Sequence, residues 1–173
     1  MRVSIMTAAC VAACVSTACS PVFNWREVSL APAPLAAMFP CKPEQTSRTV
    51  TMGGRDVELT MRHCDTAGVT AAVGHASVVD PALLGPVLAQ WQAATLASLH
   101  ATASTRTAWT MDRATPLPQA VSLQAFGTSA DGKPLQLQAA WFAREGQVFA
   151  ALLYGPALAQ DVVDAFFSGL RLQ

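Results

Sequence analysis

The feature that most constrains the fold is a pair of glycine turns that occurs twice with one spacing. Gly54 and Gly68 are separated by the same interval as Gly132 and Gly146. Each interval holds a run in which apolar and polar residues alternate, the period of a half-buried β-strand. In the first run Val57, Leu59 and Met61 alternate with Glu58, Thr60 and Arg62; in the second, Leu135, Leu137, Ala139 and Trp141 alternate with Gln136 and Gln138. Gly53-Gly54 is a two-residue hairpin signal, because both central positions of such a turn need positive φ. A Thr/Val-rich stretch, 47–52, leads into it, and Asp65–Gly68 turns the chain back into 69–78. In the second half, Val121, Leu123 and Ala125 alternate with Ser122 and Gln124, Asp131-Gly132 makes the next turn, and Glu145-Gly146 leads into 148–154. The spacing predicts two three-stranded meanders whose turns superpose at a single offset.

A helix is expected after each meander. Asp80-Pro81 supplies an N-cap followed by proline at the first helical position. Leu84, Val87, Leu88, Trp91 and Thr95 then recur at three- and four-residue steps, while Gly85-Pro86 predicts a kink or a start near Gly85. Leu158, Val162, Ala165, Phe166 and Gly169 trace the stripe of a closing helix. Residues 35–40 read as a short strand ended by proline, and 101–118 as a polar connection with one short strand around 108–110. The fold class is therefore α+β: an antiparallel sheet of two three-stranded meanders, each followed by a helix packed on the sheet. Phe142 and Phe149 oppose Trp141 and Val148, so the second half of the sheet is expected to be covered on both faces.

The amino terminus reads as an address. Arg2 precedes an apolar run, Val3–Val15, of signal-peptide length, and small residues Ser16-Thr17-Ala18 lead to Cys19. Residues 1–18 are expected to be a signal peptide and Cys19 the site of lipidation, as in the lipobox of bacterial lipoproteins. Ser16-x-Ala18 also suits ordinary signal peptidase, which would release a soluble periplasmic protein. Pro21, Pro32 and Pro34 make 19–35 a tether, leaving 36–173 as the single folded domain. Localisation in the periplasm follows, with the membrane as a partner through the anchor.

Export decides how the cysteines are read. Cys10 and Cys14 leave with the leader and Cys19 takes the lipid, so Cys41 and Cys64 form an even pair in an oxidising compartment, where a disulfide is favoured over two free thiols. His63-Cys64-Asp65 is contiguous, and adjacent strand residues point to opposite faces, so a metal site is not expected there.

Composition narrows the function classes. Of 173 residues 52% are hydrophobic and 13% charged, with eleven basic residues against eleven acidic, which argues against a nucleic-acid binder with its basic face. The chain has no nucleophile elbow, phosphate loop, zinc motif or calcium loop. His63 and His75 are expected to share the Val57/Val69 face as near neighbours, in a structural role. No catalytic, cofactor or metal site is expected. Trp25, Trp91 and Trp141 are the candidate partner or ligand contacts: Trp25 in an exposed segment near the anchor, the other two beside a pocket between sheet and helix.

Several stretches together resemble a group of uncharacterised proteobacterial lipoproteins. They are Cys19-Ser20-Pro21, Asn24-Trp25-Arg26-Glu27-Val28, Phe39-Pro40-Cys41-Lys42-Pro43, Arg48-Thr49-Val50 and the closing Ala165–Leu172. The order of elements, from the Phe-Pro opening to the final Phe-containing helix, is similar to the PsbP-like sandwich. That resemblance implies an accessory module that binds a larger assembly, here an envelope protein partner, rather than a catalyst. The alternative is a small apolar-ligand carrier with its pocket between sheet and helix.

Overall fold

The alternating runs become sheet in the computed structural model, which describes residues 22–173. The expected leader, Cys19 and the start of the expected tether lie outside the described residues. Two antiparallel sheets and two helices make a mixed α/β fold. The smaller sheet is β1 (Arg26–Ser29), β2 (Leu35–Phe39) and β10 (Arg171–Leu172), with β2 central. The larger has seven strands in the order β3-β4-β5-β9-β8-β7-β6. Its strands are β3 (Glu44–Met52), β4 (Arg55–Thr66), β5 (Val69–Ser77), β6 (Ala103–Ala108), β7 (Val121–Thr128), β8 (Pro134–Arg144) and β9 (Gln147–Gly155). Helix α1 (Leu84–Ser98) follows β5, and α2 (Gln160–Ser168) follows β9.

Turn geometry explains the sheet. Gly53-Gly54, Ala67-Gly68 and Glu145-Gly146 each place two consecutive residues at positive φ, closing two-residue hairpins whose twist matches the strands. The fourth turn differs. Thr128 pairs with Pro134, so residues 129–133 form a longer loop, closed where the Ser129 N–H donates to the Lys133 carbonyl at 2.9 Å. The two repeats therefore superpose at their second turn and not at their first.

The same register separates the two histidines expected to be neighbours. Thr66 pairs with Val69 across a two-residue turn, so odd-numbered β4 residues share a face with even-numbered β5 residues. His63 sits opposite Ala72 on the Leu59 face, and His75 opposite Thr60 on the Val73 face. Val57 and Val69 accordingly belong to different cores.

Each face of the large sheet has its own core. On one, α1 buries Leu84, Val87, Leu88 and Trp91 against Leu123, Leu137, Trp141 and Leu152. On the other, Phe166 of α2 and Phe39 of β2 pack over Val73, Phe142, Phe149 and Leu153. Phe142 stacks on Phe149 at 5.2 Å, so the cover expected on the second face is α2 with the small sheet.

Three local readings change. Residues 26–35, expected as tether, are packed: Leu30 is 1% exposed, Ala33 is buried, and the Leu30 N–H donates to the Leu35 carbonyl at 2.8 Å. Prolines gave this stretch a linker composition, but the apolar residues between them close the second core. The strand expected at 108–110 is β6, ending at Ala108; it is an edge strand with every residue exposed, so no burial alternation marked it. Finally, Asp80 caps a short 3₁₀ turn, Pro81–Leu83, by accepting from the Ala82 N–H at 2.9 Å, and α1 begins at Leu84. Pro86 thus falls in the first turn of α1, where its missing N–H leaves no bond unmade.

Candidate functional site

The first core is open between α1 and the β3 edge of the sheet. Register puts Arg48 beside Leu59 and Val50 beside Val57, while Met61 lies beside Gly74. α1 crosses this surface but leaves the β3 side uncovered, so a cavity of about 420 Å³ opens along the helix. That is within the size of ligand pockets, about 300–1,000 Å³. Met52, Leu59, Met61, Trp91 and Leu152 form its apolar walls. The Trp91 ring lies against Gly74, where any side chain would overlap Met61 or the indole. One end is fixed by Gln90, which accepts from the Gly53 N–H at 2.9 Å and donates to the Thr51 carbonyl at 3.3 Å.

Few polar groups point to chemistry here. Thr95 Oγ1 is committed, donating to the Trp91 carbonyl at 2.9 Å, and Ser98 donates to the Thr95 carbonyl. Arg48 is the sole charged residue lining the cavity, and it makes no ion pair among the described residues. Tyr154 lines the wall on β9, and burial pushes its phenol up to about 12, so it is a neutral donor at all ordinary pH. The arrangement can hold an apolar body and one anionic group. It offers no nucleophile with an oriented base.

The tryptophans expected as contacts part ways. Trp91 lines the groove. Trp141 does not: it sits on the interior strand β8, wholly buried in the first core, with its indole Nε1 unpaired. Trp25 is half-buried, 6.0 Å from Phe23 and packed on the second core rather than standing free. Sequence reading missed Arg48, Met52 and Tyr154, because a groove wall is set by strand order, which joins β5 to β9. The available signal was α1 itself, which has no charged residue in fifteen and exposes Ala89, Ala93 and Ala97.

Cys41 and Cys64 are joined, with Cα atoms 6.0 Å apart, tying the segment after β2 to β4. His63 lines a small cleft beside them with Lys42, Glu44 and Asp65. Among the described residues no three or more His, Cys, Asp or Glu side chains are grouped to hold a metal ion, and no helix is long and apolar enough to cross a membrane. His75, half-buried beside Phe149, has its pKa lowered by burial first and then by Arg62, with Glu58 opposing. No protein-family model matches the chain, and no curated protein matches it.

Proposed function

We propose that this chain is an exported, lipid-anchored binding domain of the cell envelope, an accessory module of the PsbP-like sandwich type. The observation that carries the interaction role is the outer face of α1. A solvated helix ordinarily carries charges on its free face; α1 presents alanines, Gln90 and Ser98 there, next to an open groove. The anchor rests on the leader and Cys19, and the disulfide suits an oxidising compartment. The envelope partner meets the α1 face and the membrane holds the other end of the chain.

A photo-crosslinking residue at Ala93 in cells tests this, with one at Gln124, exposed on the other sheet face, as control. A discrete envelope adduct from Ala93 alone is expected. Intact mass of the same membrane-derived protein should show diacylglyceryl on Cys19 and two hydrogens missing at Cys41 and Cys64. Equal adducts from both positions, or Met1 retained in the cytosol, would defeat the reading.

The groove favours a second reading, in which the domain carries a small apolar ligand. Trp91 and the apolar walls around it are its basis. Native mass spectrometry of protein purified under mild conditions should then show a bound small molecule that organic solvent removes.

A further inference from the structure

We infer that the α1 groove takes a single-tailed amphiphile with a carboxylate head, the head held by Arg48 and the tail lying against Met61 and Trp91. This rests on the carrier reading and adds the class of ligand. The case is one of charge balance. The walls are apolar, so they select a hydrocarbon body. Arg48 is the groove's one charged residue, and no Asp or Glu lines it. Its strand neighbours on that face, Thr46 and Val50, are uncharged, as are Leu59 and Met61 across the register. A lone guanidinium matches one carboxylate in a two-bond fork, and it leaves a doubly charged phosphate monoester half neutralised.

The other polar groups confine the head to this end. Thr95 and Ser98 already donate their hydroxyl protons to backbone carbonyls, and Gln90 is held by the Gly53 N–H and the Thr51 carbonyl, keeping only a neutral second N–H. Tyr154, on β9 three strands from Arg48, can accept or donate a bond but brings no charge. A zwitterionic or cationic head would meet no acidic partner among the lining residues. Gly74 keeps the floor flat under the indole, so the tail has an aromatic plane to lie on.

The test is calorimetric titration of the full chain, purified without detergent, with decanoate, decanol and decylammonium. Arg48→Gln is the variant, and Arg106→Gln, another exposed arginine on the opposite edge strand β6, the control. Decanoate should bind roughly tenfold tighter than decanol, the size of one charge-assisted contact. Arg48→Gln should erase that preference while leaving decanol binding unchanged, and Arg106→Gln should keep it. Equal binding of decanoate and decanol would overturn the carboxylate class and leave the carrier reading standing. Tightest binding of decylammonium, or a decanoate preference that survives Arg48→Gln, would overturn it too. Binding of none of the three would remove the carrier reading as well.

Discussion

The two faces of the large sheet are closed by different means. Over Val73, Phe142 and Phe149 lie α2, the three-stranded sheet and a disulfide that ties the approach to β3 onto β4. Over Leu59, Met61 and Leu152 lies one helix, and a cavity of about 420 Å³ opens beside it. The buried phenylalanines follow the same division: Phe39, Phe142, Phe149 and Phe166 all belong to the sealed side, whereas Trp91 and Trp141 belong to the other. A face sealed by several elements holds the fold together, whereas a face covered by one helix can accept a guest without exposing the core. On the proposed function, stability and binding fall to opposite sides of one sheet.

The largest effect should come from opening the sealed side. Phe166 is fully buried, edge-on to Phe39 and Phe167. Phe166→Ala should cost about 3–5 kcal/mol in urea unfolding, the range for a large core aromatic. A cost equal to that of Met61→Ala, on the groove wall, would erase the distinction between the faces. Next comes the staple. Replacing Cys41 and Cys64 by serine together should remove about 3 kcal/mol, on the chain-entropy account of a loop of this length. An unchanged denaturation midpoint would show that the small sheet holds its place unaided.

A smaller effect is expected on the open side. A Cβ at Gly74 would overlap Met61 Sδ and come within 3.0 Å of the Trp91 ring. Met61 can swing aside, but the indole is pinned under α1. Gly74→Ala should therefore cost about 1–3 kcal/mol and shift the tryptophan emission. Unaltered emission would mean that the groove floor tolerates a side chain.

The smallest effect is a pH slope. His75 has its pKa lowered below the ordinary 6.5, so the unfolded chain binds more protons in the window just under that value. Stability should fall as pH drops from 6.5 through that window, then level off once the folded state is also protonated. His75→Gln should flatten the slope between about pH 7 and about pH 5, a window that starts just above the ordinary imidazole value and runs well below it, read from urea midpoints at each pH. A slope that persists would place its origin in another group.

Much of the fold could be read from residue order. Alternation from Val57 to Arg62 and from Leu135 to Trp141, with Gly-containing turns, located β4 and β8 because the apolar residues of each run line the first core. Edge strands were legible only in part. The Thr/Val-rich 47–52 stretch and its glycine turn marked the end of β3 but not its start at Glu44, and β6 was expected too late, at 108–110, because both strands are exposed along most of their length and carry no burial period. The 26–35 segment misled because proline content describes the unfolded chain's stiffness, and not whether Leu30 finds a core. Site residues were harder still. Trp91 was visible on the helical stripe, but Arg48 and Tyr154 meet one groove only because β5 pairs with β9. The His63–His75 error has one cause, the two-residue turn that inverts odd and even positions between β4 and β5.

The four tryptophans report on four surroundings: Trp91 in the groove, Trp141 in the first core, Trp25 beside Phe23, and Trp109 beside Phe167. A nitrogen–proton correlation spectrum of the full chain, recorded during addition of decanoate, therefore reads which side of the sheet receives a ligand. Displacement of the Trp91 indole signal, with the Trp25 and Trp109 signals still, is the predicted result. Movement of Trp109 or Trp25 while Trp91 stays fixed would contradict the assignment of binding to the α1 face.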